Sequence, residues 1–278
     1  MRAILVAAMA VALAGEAAAA ELRGHGGPVR ALAVDGTGRA LSGSFDSRAI
    51  LWDLDGGAAE AVLRLHAGSV NAVVFLDDGR VATGGQDGTV ALWRPGADAP
   101  ERAGPVHDGP VAALAADGGR LASAGWDGAA RVLDLASGAE IALDPRAGPL
   151  NGVGFLPDGG LVTAGYDGAL RFWGADGAPG AVARFPAPLN ALAVAPNGGV
   201  WTAGADGVLR LFGPDADALS EVIAGEAPLA ALALGGGVVA AGGLDGRITV
   251  VDAASRQVRR TIEASAGPVW SVAVTADG

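Results

Sequence analysis

A proline, replaced once by serine, returns through this chain at Pro28, Ser69, Pro110, Pro149, Pro188, Pro228 and Pro268, at spacings of 41, 41, 39, 39, 40 and 40 residues. An aspartate keeps step with it at Asp46, Asp87, Asp127, Asp167, Asp206 and Asp245, mostly within Gly-x-Asp-Gly. Such a period constrains a chain strongly, because each copy has to be one supersecondary unit that hides its apolar surface against its neighbours. Between the columns lie short apolar stretches such as VRALAV, RALSGS, RAILWDL and AEAVLRL, split by Gly and Asp turns. Stretches of this length, rich in Val, Leu, Ile and Ala, predict strands rather than helices. The 46 glycines show no three-residue period and read as turn residues, free to take positive φ.

Four strands per copy make one antiparallel sheet whose two faces are both largely apolar, so a single copy is not stable alone. Radial stacking about an axis leaves few open edges, whereas a linear solenoid needs capping units, and none is recognisable. The expected fold class is all-β, a β-propeller.

The stretch LSGSFDSRAILWDL, with Trp52-Asp53 at its end, resembles the WD-repeat (WD-40) β-propeller family, and the resemblance covers residues 21–278. It implies that a histidine, a Ser/Thr, an Asp and a Trp of each copy join in a structural hydrogen-bond tetrad. The first copy holds His25, Ser42, Asp46 and Trp52, and the second His66, Thr83, Asp87 and Trp93. The third keeps His107, Ser123 and Asp127 but has Leu133 at the tryptophan place. The fourth keeps Thr163, Asp167 and Trp173 but has Arg146 at the histidine place. Thr202, Asp206 and Phe212 follow in the fifth, and Ala241, Asp245 and Val251 in the sixth. Three histidines at a 41-residue spacing therefore read as tetrad members rather than metal ligands or catalytic bases. Sheets stack about 10 Å apart, too far for three imidazoles to share an ion that needs ligands at ~2.0–2.1 Å.

The proline column has seven members and the aspartate column six. This predicts seven blades at about 25–65, 66–106, 107–145, 146–184, 185–224, 225–264 and a partial 265–278, with the seventh incomplete. Glu21-Leu22-Arg23 resembles Val62-Leu63-Arg64, so residues 21–24 are expected as the outer strand of the last blade, the family's way of closing the ring. A truncated reading frame explains the missing strands, and a natural six-bladed ring is the competing explanation.

Arg2, the apolar run from Ala3 to Ala14 and the small residues Ala18-Ala19-Ala20 predict a signal peptide over residues 1–20. The run is shorter than the ~20 residues of a bilayer span. The mature chain, with no further span, is expected in the periplasm of a Gram-negative bacterium. With no cysteine, it has no disulfide, thiolate or haem attachment of its own. A net charge of −11 repels nucleic acid and anionic membranes. GGGVVA at Gly235 lies between strands, with no helix to receive a pyrophosphate, and DLDGG at Asp53 has Arg64 where a calcium loop needs Glu. Neither a nucleophile elbow nor a phosphate loop occurs, so no enzyme, cofactor or metal is expected within the chain.

The resemblance implies that partners bind the narrower top face, at positions flanking the start of each inner strand and preceding the turn Asp. Here the first set is Arg30, Asn71, Ala112, Asn151, Asn190, Ala230 and Trp270, and the second is Phe45, Gln86, Trp126, Tyr166, Ala205 and Leu244. Phe45, Trp126 and Tyr166 at hairpin tips are hard to explain as core, and aromatics beside Arg and amides suit a binding hot spot. The alternative is that each ring merely covers the neighbouring copy's proline. The expected function is a non-enzymatic periplasmic scaffold that binds a protein or peptide. A second possibility, implied by the resemblance, is the propeller portion of an exported redox protein with a c-type cytochrome domain beyond Gly278. An autonomous propeller lactonase or quinoprotein is a third.

Overall fold

The computed structural model describes residues 21–143, 148–213 and 216–275, so the expected signal peptide and Arg146 lie outside the described residues. β1 (Val29–Val34), β2 (Arg39–Ser44), β3 (Arg48–Asp53) and β4 (Ala58–Arg64) pair in chain order as an antiparallel meander. β2 is buried along nearly its whole length, on both faces, whereas most residues of β4 face solvent. That gradient is why the inner runs carry no polar alternation and the fourth run does.

The turn between β2 and β3 shows what the aspartate column does. Asp46 Oδ1 accepts the Arg48 N–H at 3.1 Å, pinning the hairpin tip. The residue after Asp46 is Ser47, at φ 67°, and its counterpart in the next sheet is Gly88, at φ 75°. A Cβ on Gly88 would run into the His107 carbonyl oxygen, so glycine is required there by space as well as by φ.

Five more sheets repeat this order, with inner strands Val70–Phe75, Val111–Asp117, Leu150–Phe155, Leu189–Val194 and Leu229–Gly235. The described residues therefore form six four-stranded blades, which corrects the expectation of seven. The seventh proline, Pro268, heads a segment with no strand beside it to pair with, and residues 264–275 carry no strand. This segment stands between blade 6 and blade 1. The Val269 N–H donates to the Gly243 carbonyl at 3.0 Å, and Arg30 Nη1 reaches the Trp270 carbonyl at 3.5 Å. Residues 21–24 are likewise not the expected outer strand, because no neighbouring strand offers them a ladder. Leu22 instead packs on Ala40, Ile50 and Trp52 of blade 1.

The core is a series of layers between blades. Leu41, Ala49, Leu51 and Leu63 of blade 1 meet Val70, Val81, Ala91 and Trp93 of blade 2. Similar layers join blade 3 to 4, 4 to 5 and 5 to 6. Glycine permits the close approach: a Cβ on Gly43 would stand 2.8 Å from the Val70 side chain. The layer between blades 2 and 3 is thinner, with only Leu76, Ala82, Leu92 and Leu121 buried in it. Among the described residues no helix is long and apolar enough to cross a membrane.

Candidate functional site

The proline column and the turn column meet at one end of the ring. The Phe45, Gln86, Trp126, Tyr166, Ala205 and Leu244 N–H groups donate to the carbonyls of Pro28, Ser69, Pro110, Pro149, Pro188 and Pro228, at 2.8–3.1 Å. These bonds fix each hairpin tip over the entrance of its inner strand. There the register slips by one residue: Val29 pairs Ser44 but Ala31 pairs Gly43, leaving Arg30 unpaired in the ladder. The same bulge falls on Asn71, Ala112, Asn151, Asn190 and Ala230. A bulge re-aims its extra side chain, so one column of each blade is turned toward the axis and the top.

Three bulged amides act within the ring. Asn71 Nδ2 donates to the Val111 carbonyl at 3.3 Å, Asn151 Nδ2 to Leu189 at 3.0 Å, and Asn190 Nδ2 to Leu229 at 2.8 Å. Each ties its blade to the next, and the Asn71 amide oxygen also accepts from Ser69 Oγ at 2.7 Å.

Arg30, Trp126, Asn151, Tyr166, Asn190, Leu244 and Trp270 line one cavity of about 300 Å³, together with Pro149 and Ala230. Trp126 is 52% exposed, Tyr166 62% and Leu244 36%. Trp126 and Pro149 border the same cavity, yet half of the Trp126 surface stays open to solvent. Arg30 lies 5.3 Å from the Trp270 ring centroid, and burial lowers its guanidinium from the ordinary value. It has no carboxylate partner among the described residues, so the cavity lining carries a cation without a counter-charge. Asn71, Gln86 and Phe45 are not brought into this cavity. Gln86 Oε1 turns back to accept from Ser69 Oγ at 3.2 Å, while Phe45 stands exposed on its own hairpin.

Below the tips lie the polar networks. His25 Nδ1 bonds Asp46 at 3.1 Å and its Nε2 meets Ser42 Oγ at 2.7 Å, to which Trp52 Nε1 also donates at 2.7 Å. His66 joins Asp87 at 3.1 Å and Thr83 at 2.8 Å, and Trp93 donates to Thr83 at 3.1 Å. His107 joins Asp127 at 3.0 Å and Ser123 at 2.8 Å, with no indole beyond. Each imidazole is spent on partners inside its blade, and no group of three or more metal-ligating side chains occurs among the described residues.

The WD domain, G-beta repeat family model matches residues 18–53, 57–94 and 144–174. The chain carries WD40 repeats and folds as a β-propeller. No curated protein gives a significant match to it. The matched segments contain Trp52, Trp93 and Trp173, the three tryptophans that donate to a Ser or Thr hydroxyl on the adjacent inner strand. The unmatched blades of the WD40 propeller carry Leu133, Phe212 and Val251 at that position.

Two of the remaining blades hold their aspartate by a device absent from the sequence reading. Arg171 forks onto Asp167 and also meets it through Nη1 at 3.2 Å, and Arg210 meets Asp206 at 3.2 and 2.6 Å. Each arginine lies four residues after its aspartate on the neighbouring strand, so the signal D-G-x-x-R was present in the text. Phe185 takes the histidine place of blade 5 and meets Phe212 edge-on at 5.4 Å, with Arg210 over its face at 4.8 Å. An apolar pair thus replaces the imidazole and indole. The Thr202 hydroxyl is left without a partner among the described residues.

The turn aspartates of the three histidine-bearing blades are held as anions. Burial pushes the Asp46 carboxyl up, but the Gly26 N–H, the His25 ring and the Arg48 N–H outweigh it and hold the group below its ordinary value. Asp87 and Asp127 behave alike. Burial dominates at His107 and depresses its pKa despite Asp127, and the nearby Arg131 cation adds to the depression.

Proposed function

We propose that this WD40 propeller is an exported, non-enzymatic scaffold that captures a protein or peptide in its top-face cavity. WD40 propellers commonly mediate protein interactions, and function on such a fold resides in what the ring presents. The observation that carries the proposal is the cavity of about 300 Å³, lined by the exposed rings of Trp126 and Tyr166 and by the partly buried cation Arg30. Large amphipathic rings at the mouth and one desolvated arginine are the composition of an interface hot spot. The complementary partner carries an apolar or aromatic side chain for the rings and a carboxylate for Arg30. A carboxylate entering the site gains a charge-assisted bond and compensates a partly buried charge.

The test is partner capture by the tagged mature chain from a periplasmic extract. Substituting Trp126→Ala with Tyr166→Ala is expected to abolish capture while leaving stability within about 0.5 kcal/mol, as for exposed positions. Undiminished capture by this double variant would refute the assignment. N-terminal sequencing of the secreted product tests the export component, with Glu21 expected as the first residue.

A further inference from the structure

We infer that the WD40 propeller carries a second, independent binding site between blades 2 and 3, shaped for a small aromatic carboxylate such as benzoate. It lies in a cavity of about 210 Å³ walled by Val90, Leu92, Leu121 and Leu133, with Arg131 in its lining. The site is separate from the top-face cavity, which shares none of these residues.

The hole follows from one residue. In this ring the residue at the tryptophan place fills the layer toward the preceding blade: Trp93 lies between blades 1 and 2, Trp173 between 3 and 4, and Phe212 between 4 and 5. Trp201 supplies the ring between blades 5 and 6. Among the described residues, the layer between blades 2 and 3 contains no aromatic side chain. Leu133 stands there instead, and the missing ring is the cavity. An apolar cavity of about 150 Å³ already accepts benzene, so this one has room for a ring and a carboxylate.

The charge follows from a second coincidence. Arg131 pairs across the sheet with Ser123, as Arg171 does with Thr163 and Arg210 with Thr202. Arg171 and Arg210 spend themselves on Asp167 and Asp206. In blade 3 the aspartate is already held by His107, so Arg131 has no carboxylate partner among the described residues. Its Nε is buried without a hydrogen-bond partner among the described residues. A buried guanidinium N–H without an acceptor is costly, and a carboxylate is the acceptor that suits it best. Arg102 and Glu140 also line the cavity and pair with each other at 3.2 Å, both about half exposed. A ring supplied by the ligand would fill the vacant layer while its carboxylate satisfies Arg131.

The experiment follows the methyl resonances of Val90, Leu92 and Leu121 in the folded chain during titration with sodium benzoate and, separately, toluene. Saturable shifts at these methyls at millimolar benzoate are expected. Arg131→Leu should weaken benzoate about tenfold or more while leaving toluene binding in place, the loss of one charge-assisted contact. Leu133→Trp should abolish both and raise the melting temperature, and Leu133→Phe serves if the larger ring cannot be accommodated. Absence of shifts in the wild type would overturn the proposal, as would undiminished binding in the filled variants. Neither result depends on capture of a top-face partner.

Discussion

Arg210 Nη2 stands 2.6 Å from Asp206 Oδ2, so blade 5 holds its turn carboxylate from within the blade, where blades 1 to 3 use a histidine from the preceding connection. The arginine is nearly buried and the aspartate about one-quarter exposed. Removing one partner leaves the other charge part-desolvated. Arg210→Met is expected to cost about 2 kcal/mol in urea unfolding. Arg210→Lys should recover only part of it, since an ammonium cannot reproduce the forked contact. Full recovery by lysine would show that charge alone holds the turn.

Thr83 and Thr202 occupy the same strand position with opposite consequences. The Thr83 hydroxyl meets both His66 and Trp93, whereas that of Thr202 has neither, since Phe185 and Phe212 stand in their places. Valine keeps the shape and removes the oxygen. Thr83→Val is expected to destabilise the propeller by about 1–3 kcal/mol, and Thr202→Val to leave it unchanged or stabilise it by up to about 1 kcal/mol. Equal losses at both sites, read from urea midpoints, would mean that an unseen partner satisfies Thr202.

Two tryptophans separate packing from presentation. Trp52 is 4% exposed and lies against Ala40, Ile50 and Leu22, whereas Trp126 is half exposed. Trp52→Ala should cost about 3–5 kcal/mol, the range for deleting a buried aromatic side chain. Trp126→Ala should change stability by less than about 0.5 kcal/mol. If Trp126→Ala unfolds the chain as readily as Trp52→Ala, the ring on Pro149 is core, and the top face loses its anchor.

The architecture was legible in the sequence because the feature that repeats is also the feature that bonds. The Pro149 carbonyl receives the Tyr166 N–H, so the proline and aspartate columns had to keep step. Blade number was less legible. Pro268 marks an inner segment, but a blade also needs partner strands, and a count of inner segments cannot supply them. The top-face residues could be named from the two columns, yet their division of labour could not. That Asn151 ties its blade to Leu189, while Trp126 stays open, depends on the one-residue bulge, which single-sequence periodicity does not reveal. Arg171 and Arg210 were readable at four residues past their aspartates but had no place in a tetrad defined by histidine. The hole beside Leu133 was foreshadowed by a missing tryptophan, and its apolar walls with an Arg131 Nε that finds no partner among the described residues needed three dimensions.

Acid should act on this fold in two stages, beginning with His107. Its folded pKa lies below the ordinary 6.5, chiefly through burial, with Asp127 pulling the other way and Arg131 adding to the depression. A group depressed in the folded state is protonated first in the unfolded chain, so its contribution is complete above about pH 6.5 and falls away as pH drops through the folded value. The turn aspartates Asp46, Asp87 and Asp127 are also depressed, and their contribution is retained until pH falls below the ordinary 3.8. Stability measured by urea unfolding is therefore expected to decline between pH 7 and 5, by at most about 1.4 kcal/mol per pH unit for one proton. A steeper decline is expected below pH 4. His107→Gln cannot titrate and should flatten the first stage while leaving the second. A wild-type curve that rises as pH falls from 7 to 5 would mean that Asp127 outweighs burial and that the folded state holds His107 as an imidazolium.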